Sequence, residues 1–397
     1  MTTQLRVLHY GLGPIGIEAV RVVARRPGMV SVGAVDVDPG KVGKDLAEVA
    51  DLGAATGVVV RPSLAEALAT SSADVVLHTT ASYLAKVKPQ LEELLGAGLR
   101  VVSTCEELSY PVQDRREIGV QLDALAKQKG VALLGTGINP GFAMDALPIY
   151  LTSVCQDVRS IRVKRVNDAG KRRLPLQKKV GAGLEKAEFD KLVEAGSVRH
   201  VGLRESVEMI AEAMGWQLER VEEETGAVLA QAQVTTAYLT VKPGQVAGVR
   251  QIGRGYVGGR EAITLELQMY VGAAEEGDDV WIEGRPSLHV RCDTGYPGDV
   301  TTAGIAVNAA ARVVSLPPGL WTMKDLPPAH YRSASRVYCR PGLLPGVARG
   351  KPARGGPSLR EPGAAGGALS PKAPPTARPA PGRTGGRGGC RLSSTRT

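Results

Sequence analysis

Two adjacent carboxylates, Glu106 and Glu107, follow the apolar pair Val101–Val102 in the stretch VVSTCEELSYP. A short apolar run of this kind is typical of a buried strand. A carboxyl group at the mouth of such a strand is partly removed from water, which raises its pKa and lets it act as a base near neutral pH. These glutamates are therefore candidates for proton transfer in an active site.

Local geometry suggests different roles for the two glutamates. Residues 104–107 fit a capping box, in which Thr104 is the N-cap of a short helix and Glu107 folds back onto the Thr104 amide. This interpretation gives Glu107 a structural role and leaves Glu106 free to point elsewhere. We therefore favour Glu106 as the catalytic residue and keep Glu107 as the second candidate, because predicted helix boundaries shift by a residue or two.

A glycine-rich turn near the N-terminus has the arrangement that a dinucleotide site requires. The strand pattern LRVLHYG leads into GLGPIG, then into the helical run IEAVRVVARR and a second strand, VSVGAVDVDPG. In this context Gly11 allows the tight turn, Gly13 lets the backbone approach a pyrophosphate, and Gly16 allows the helix to pack closely on the strand. Pro14 and Ile15 complete the turn, and the helix N-terminus offers free N–H groups to the phosphates.

An acidic residue stands where the second strand ends. The separation of Asp36 from Gly16 is the one at which a carboxylate of this fold accepts hydrogen bonds from the adenosine ribose. This carboxylate favours NAD because it would repel a 2′-phosphate. Lys41 and Lys44, in the turn that follows, are within reach of such a phosphate. The sequence therefore predicts NAD or NADP as the cofactor.

Further strand and helix patterns alternate up to about position 140. The strand candidates ADVVLHTT, GLRVVST and GVALLGTG are separated by helical runs, which predicts a mostly parallel, doubly wound sheet. Ligands of such sheets bind beyond the carboxyl ends of the strands. We therefore expect Thr79, Thr80 and Asn139 at the cofactor cleft. Phe142 is expected at its rim, as an apolar wall for a substrate or as part of the core.

The pattern changes after about position 156. VRSIRVKRV is a strand candidate, and LEKAEFDKLVEAG and LRESVEMIAEAMGW are helical. In EAITLELQMYVGA, alternate residues are apolar, namely Ile263, Leu265, Leu267 and Met269, which indicates a sheet with one packed face. The later segment GDVTTAGIAVNAAARVV is again helical, with Asp299 suited to its N-cap.

These patterns predict an α/β chain with four parts. A Rossmann domain with a doubly wound parallel sheet covers residues 1–140, and an α+β substrate and dimerisation domain with an open, largely antiparallel sheet covers 141–298. A helix within 299–332 returns to the Rossmann domain. The segment 333–397 is rich in Gly, Pro and Arg and lacks aliphatic periodicity, so it is predicted to be disordered.

Composition restricts the class of partner. No apolar run is long enough to cross a bilayer, and the N-terminus lacks the order of a signal peptide. The net charge of +9 comes from the segment 333–397, with 12 basic side chains and one Glu, whereas the segment 1–332 carries 37 basic and 39 acidic side chains. The five cysteines and five histidines show no disulfide or metal-ligand spacing. We expect a cytoplasmic protein with no metal and neither a nucleic acid nor a membrane as partner.

Several separate motifs, in order, give the chain a family resemblance. It resembles the 2,4-diaminopentanoate dehydrogenases and related NAD(P)-dependent amine dehydrogenases, distant relatives of dihydrodipicolinate reductase. The resemblance covers about residues 4–332, in the segments GLGPIG, STCEELSYP, GTGINPGFAMD, VNDAGKRRLPLQKKVGAGL, RHVGLRES, GYPGDVTTAGIAVNAA and PPGLWTMKDLP. It implies reversible deamination of an amine to a ketone and ammonia, a homodimer, a catalytic glutamate in STCEEL, and a place for His200 at the substrate site.

The implied reaction gives the charged residues possible roles. A partly desolvated glutamate can accept a proton from the water that attacks an iminium. The segment 159–186 holds ten basic and two acidic residues and could bind a substrate carboxylate; its basic residues include Arg162, Arg165, Arg172 and Arg173. Arg165 and Asn167 are the candidates for the substrate site in this segment. The same charges would suit the solvated face of a strand equally well.

Two alternatives stay open. One is a dihydrodipicolinate reductase-like imine reductase, although that family carries paired histidines followed by a lysine and this chain has no such pair. The other is a non-catalytic NAD(P)-binding protein, for which loss of Glu106 and of the basic cleft residues would be expected.

Overall fold

The computed structural model describes residues 4–331 of the chain. The segment 333–397, predicted to be disordered, lies outside these residues. The strands are β1 (Leu5–Tyr10), β2 (Met29–Val35), β3 (Val60–Arg61), β4 (Val75–His78), β5 (Val101–Ser103), β6 (Ala132–Gly135), β7 (Asp157–Asp168), β8 (Arg220–Leu229), β9 (Val234–Thr235), β10 (Thr240–Val241), β11 (Val246–Val257), β12 (Arg260–Tyr270), β13 (Gly277–Arg285), β14 (Leu288–Cys292) and β15 (Gly319–Trp321).

Helices connect and cover these strands. They are α1 (Pro14–Ala24), α2 (Leu46–Ala50), α3 (Leu64–Leu68), α4 (Leu84–Gly96), α5 (Arg115–Lys129), α6 (Ala146–Leu151), α7 (Leu174–Lys179), α8 (Lys186–Glu194), α9 (Leu203–Ala213) and α10 (Gly298–Val313). Single 3₁₀ turns span Glu106–Leu108, Thr152–Val154 and Ala169–Lys171. Within the described residues, none of these helices is both long enough and apolar enough to cross a bilayer.

Seven parallel strands form the first sheet, in the order β15-β6-β5-β4-β1-β2-β3. The order from β3 to β6 is that of dinucleotide-binding folds, and it brings the carboxyl ends of β1, β4, β5 and β6 to one edge. Helices α1 and α10 pack on one face, against residues such as Val7. Helices α4 and α5 pack on the other face, against residues such as Leu8. The Rossmann prediction is confirmed.

Six strands form the second sheet, in the order β14-β13-β7-β12-β11-β8. Only the pairing of β7 with β12 is parallel, and the other neighbours are antiparallel. The alternation in β12 is confirmed, because Ile263, Leu265 and Leu267 are at most 1% exposed and share a core with Leu203 and Val207 of α9. The prediction of an open, largely antiparallel sheet is therefore confirmed.

Helix α10 returns the chain to the first sheet, but its start differs from the prediction. Asp299 is not the N-cap, because the helix begins at Gly298 with Pro297 before it. The Asp299 carboxylate lies instead 2.8 Å from Nη2 of Arg172. It is engaged by a guanidinium and not by the helix amides, a long-range contact that no local pattern reveals.

Candidate active site

The glycine-rich turn packs closely against the residues that follow β4 and leaves free space on its other side. Gly11 has a φ of +93°, and a Cβ atom on it would lie 2.8 Å from Cγ2 of Thr80. A Cβ atom on Gly16 would lie 2.1 Å from the Gly11 carbonyl oxygen, to which Thr79 donates its hydroxyl at 2.7 Å. A Cβ atom on Gly13 would meet nothing within 4 Å. The turn thus needs glycine for its own shape at two positions and leaves free space at the third.

The open side of the turn fits the pyrophosphate of a dinucleotide. Helix α1 starts at Pro14 and has no side-chain cap. The amides of Ile15 and Gly16 therefore have no partner within the helix, and together with the helix dipole they attract an anion. These residues fit the phosphates of NAD or NADP.

Asp36 lies directly after β2, beside this turn. Its carboxylate accepts the backbone N–H of Leu12 at 2.6 Å and that of Asp38 at 2.8 Å. Lys41 Nζ stands 3.6 Å from the same carboxylate. A carboxylate has lone pairs for further bonds, so Asp36 can also accept hydroxyls of a ribose. Asp36 and Lys41 thus place opposite charges next to each other directly after β2.

A cavity of about 160 Å³ lies beside the turn, lined from both sheets. It brings together six of the predicted site residues: Ile15, Glu106, Asn139, Arg165, Asn167 and His200. Glu106 sits in the 3₁₀ turn after β5. Burial raises the pKa of its carboxyl group, and this is opposed in part by hydrogen bonds from its own backbone and from Ser82 and by the charge of Lys179. Glu106 is therefore a carboxyl group with a raised pKa that shares the cavity with Ile15 of the glycine-rich turn.

Glu107 is absent from the cavity wall. Its buried carboxylate accepts the Leu84 N–H at the start of α4 at 2.7 Å and lies 3.2 Å from Nη1 of Arg115. The predicted capping box is wrong, because Cys105 precedes the 3₁₀ turn without a side-chain cap. The Thr104 amide already donates to the His78 carbonyl at 3.0 Å. Glu107 therefore binds the first amide of α4, the helix that follows the neighbouring strand β4.

We expect Glu107→Gln to lower the free energy of unfolding by about 1–3 kcal/mol, the range for a buried hydrogen bond to a charged group. Gln can still accept from Leu84 but removes a buried charge beside Arg115, which keeps Glu205 at 3.0 Å and Asp114 at 3.9 Å. Urea unfolding measures this change. The control is Glu48→Gln, an exposed partner of Lys44 that should cost at most about 1 kcal/mol. Equal losses of unfolding free energy in the two variants would contradict the structural role of Glu107.

Polar groups of the cavity are left without protein partners. Nδ1 of His200 and Oδ1 of Asn139 are buried and accept or donate no hydrogen bond among the described residues. Burial lowers the pKa of His200 to about 4, with smaller contributions from the charges of Lys179 and Arg165. Its imidazole is therefore neutral at neutral pH. These two atoms are available to hydrogen-bond a ligand.

The inner face of the second sheet supplies the remaining wall. Arg165 and Asn167 follow Ile161 and Val163 on one face of β7, so the buried face of the strand becomes polar at its carboxyl end. The guanidinium of Arg165 is itself buried and lies 2.9 Å from the Asp278 carboxylate. This pair fixes Arg165 in the wall.

Thr80 and Phe142 are among the predicted residues that do not line the cavity. Thr80 donates its hydroxyl to Gln90 at 2.7 Å. Phe142 packs edge-on against Tyr296, with ring centroids 5.9 Å apart, and contacts the cores of both sheets. The structure therefore places Phe142 in packing between the sheets.

Three charged residues of the wall were not named as site candidates, namely Lys179, Arg199 and Asp299, and Arg172 was named only as part of the basic segment. Arg172 and Lys179 belong to the basic segment 159–186, but its composition does not distinguish inward from outward residues. Within residues 4–331, no group of three or more His, Cys, Asp and Glu side chains is placed to hold a metal ion.

Comparisons with known proteins identify relatives of this chain. The family model of the 2,4-diaminopentanoate dehydrogenase C-terminal domain matches residues 142–337. The 2,4-diaminopentanoate dehydrogenase of Acetoanaerobium sticklandii is 34% identical over 275 residues, which are 68% of this chain and 78% of that protein. The amine dehydrogenase of Streptomyces virginiae is 25% identical over 349 residues, 80% of this chain and 95% of that protein.

A solved structure supports the same relationship. The amine dehydrogenase from Mycobacterium smegmatis superposes with a TM-score of 0.74 at 27% identity, covering 83% of this chain and 98% of that one. The coverage extends over both sheets, so the two-sheet architecture is shared as a whole. The chain belongs to the 2,4-diaminopentanoate dehydrogenase family of oxidoreductases.

Proposed function

We propose that the protein catalyses the NAD(P)-dependent, reversible oxidative deamination of a primary amine, 2,4-diaminopentanoate or a related compound, to a ketone and ammonia. The observation that carries this proposal is Glu106, a partly buried carboxyl group with a raised pKa, in one cavity with Ile15 of the glycine-rich turn. The named relatives, a 2,4-diaminopentanoate dehydrogenase and amine dehydrogenases, support it.

The chain's residues supply proton transfer and positioning. NAD(P)⁺, when bound, accepts the hydride from the carbon that bears the amine. The Glu106 carboxylate takes a proton from the substrate ammonium, which leaves a neutral amine, and releases that proton to solvent before the next step. It then takes a proton from the water that attacks the iminium carbon and returns it to the nitrogen, which leaves as ammonia while the carbinol hydroxyl loses its proton to Glu106 and becomes the ketone oxygen. The unpartnered atoms of Asn139 and His200 can hydrogen-bond the substrate and orient it. The cavity volume, close to that of a cavity that holds benzene, suits a small molecule.

The test is a spectrophotometric assay of NAD(P)H formation by the full chain. We expect turnover of 2,4-diaminopentanoate or of simple primary amines at alkaline pH, and the reverse reaction with the ketone and ammonia. Cofactor binding without turnover of any amine would instead favour the non-catalytic alternative. Turnover of a cyclic imine but of no amine would favour the imine reductase alternative.

Cofactor preference should depend on Asp36. We expect Asp36→Asn to raise the ratio of kcat/KM with NADP to kcat/KM with NAD by about tenfold, because a neutral amide no longer repels a 2′-phosphate beside Lys41. Asn keeps an acceptor for the Leu12 amide, so the turn should hold. The exposed Glu48→Gln is the control. An unchanged ratio would show that the ribose is recognised elsewhere.

The assembly and location of the protein belong to the same proposal. We expect a cytoplasmic homodimer that binds neither nucleic acid nor membrane, since the segment 1–332 is nearly neutral. The outer face of the second sheet supports association, because it displays aromatic and charged groups such as Trp281 stacked on His289, with centroids 4.8 Å apart. Light scattering during gel filtration should give twice the chain mass, and a monomer would refute the dimer.

A further inference from the structure

Two loops that carry polar cavity residues pack against each other. Asn139, whose Oδ1 has no partner among the described residues, lies in the loop after β6, and His200, whose Nδ1 is in the same situation, lies in the loop before α9. A Cβ atom on Gly202, at the end of the second loop, would lie 2.3 Å from Cδ of Pro140 in the first. Gly202 also has a φ of +108°, which favours glycine. The two loops are therefore in close contact beside these polar atoms.

A buried carboxylate joins the same two loops through hydrogen bonds. Asp145 is 0% exposed, and its Oδ2 accepts both the Gly141 N–H and the Ser206 hydroxyl, each at 2.8 Å. Gly141 belongs to the loop that carries Asn139. Ser206 lies near the start of α9, shortly after His200. One carboxylate oxygen thus connects the surroundings of both cavity residues.

Hydrogen bonds must offset the cost of burying Asp145, because a carboxylate without a cation is poorly tolerated away from water. Burial raises the pKa of Asp145, and hydrogen bonds from Gly141, Ser206 and Ala146 oppose this rise. The bonds from Gly141 and Ala146 come from the backbone around Asp145 itself. Loss of the Ser206 hydroxyl would therefore leave these local bonds in place and break the connection to α9.

Gln251 of β11 holds the His200 loop from the second sheet. Its side-chain carbonyl accepts the His200 N–H, and its Nε2 donates to the His200 carbonyl oxygen at 3.4 Å. Gln251 is 3% exposed and follows Val249, a residue of the cavity wall, by two positions, so both lie on one face of the strand. The backbone of His200 is therefore held by β11, and the start of α9 is held by Asp145.

We infer that Asp145 and Ser206 are positioning residues, whose hydrogen bond keeps Asn139 and His200 at the spacing that orients the substrate for hydride transfer. This inference rests on the proposed deamination, in which these two side chains bind the substrate. Neither Asp145 nor Ser206 lines the cavity, so both act through the loops. A displacement of about 1 Å caused by a distant substitution can lower a rate by about 10²-fold, so one hydrogen bond is enough to matter.

The experiment measures turnover of 2,4-diaminopentanoate by the full chain with saturating NAD⁺. We expect Ser206→Ala to lower kcat by about 10- to 100-fold and to leave Kd for NADH unchanged. The acidic limb of kcat/KM should stay at the wild-type pH, because the Ser206 hydroxyl bonds to Asp145 and not to Glu106. Ser206→Cys keeps the size of the side chain with a weaker donor, so its kcat should lie between those of the wild type and Ser206→Ala.

The control is Ser63→Ala, the same substitution at the far edge of the first sheet. Ser63 is the N-cap of α3, where its hydroxyl oxygen accepts the Glu66 N–H at 3.3 Å, and it does not line the cavity. Ser63→Ala should lower the urea midpoint but keep the wild-type kcat at a temperature where both variants are folded. If Ser206→Ala and Ser63→Ala have the same kcat, the Asp145–Ser206 contact only stabilises the fold and the inference is overturned.

Amide hydrogen exchange provides a measurement that needs no turnover. In the NADH-bound chain, Ser206→Ala should speed exchange in the segments around both Asn139 and His200, whereas Ser63→Ala should change neither. If the wild type turns over no amine and Ser206→Ala speeds exchange in both segments, the proposed function fails but the connection between the loops stands. If the wild type is inactive and either segment exchanges at the wild-type rate in Ser206→Ala, the inference is overturned as well.

Discussion

Glu106→Gln is expected to lower kcat for amine oxidation by about 10²- to 10⁴-fold, the contribution typical of a positioned general base. Gln has nearly the same size as Glu, so the cavity should keep its shape, but the amide cannot accept a proton at neutral pH. The affinity for NADH should be unchanged, because the phosphate contacts that we propose for the glycine-rich turn do not involve this carboxyl group. Steady-state kinetics and fluorescence titration with NADH measure the two quantities.

The pH dependence gives an independent check on the same residue. Glu106 must be ionised to act as a base, and burial raises its pKa above the usual range for Glu. In the wild type, kcat/KM should therefore fall as the pH drops through this raised pKa. Lys179→Met removes a charge that lowers the pKa of Glu106, so the acidic limb should move to higher pH in that variant.

The control for Glu106→Gln is the same substitution at the next position. Glu107→Gln should lower the free energy of unfolding but leave kcat nearly unchanged, when kcat is measured at a temperature where the variant is folded. A loss of kcat at Glu107 with normal activity at Glu106 would reverse the assignment, and Glu107 would become the catalytic residue. A similar kcat for the wild type and Glu106→Gln would remove general-base catalysis from the proposed mechanism.

Local patterns were sufficient for the Rossmann half of the fold but not for its long-range contacts. The motif at Gly11, Gly13 and Gly16 predicted the turn because strand, glycines and helix are contiguous in sequence. The partners of Glu107, by contrast, are Leu84 and Arg115, which come from other strand–helix units. Within residues 104–107, the only partner available to Glu107 was the Thr104 amide of a capping box, and that prediction was wrong.

The substrate side of the cavity was harder to predict for a related reason. Alternation in β7 gives Arg165 and Asn167 the same face as Ile161 and Val163, but the sequence alone does not show that this face meets the glycine-rich turn. Lys179 and Arg199 lie outside any regular strand pattern, so only the folded chain reveals them as cavity residues. The limits at positions 140, 298 and 332 stay predictions, as do the roles of the individual site residues.

Substitutions of the glycines in the turn distinguish effects on cofactor binding from effects on the stability of the fold. Gly16→Ala places its methyl group 2.1 Å from the Gly11 carbonyl oxygen and 2.7 Å from Thr79 Oγ1. The Gly11 carbonyl oxygen is held in place, because it accepts the Thr79 hydroxyl at 2.7 Å. We expect Gly16→Ala to lower the free energy of unfolding by about 1–3 kcal/mol or more, as overpacking does, and to abolish NADH binding.

Gly13→Ala is the matched variant, and we expect it to weaken NADH binding with little change in the free energy of unfolding. Its φ of −66° and ψ of −175° suit alanine, and its methyl group meets no protein atom within 4 Å, so the free energy of unfolding should stay within about 1 kcal/mol. The same methyl group occupies the space through which a pyrophosphate approaches the backbone, so Kd for NADH should rise by about tenfold or more. Urea unfolding and fluorescence titration separate the two effects. Unchanged NADH affinity in Gly13→Ala would mean that the phosphates do not lie over this glycine, and the dinucleotide assignment of the turn would be wrong.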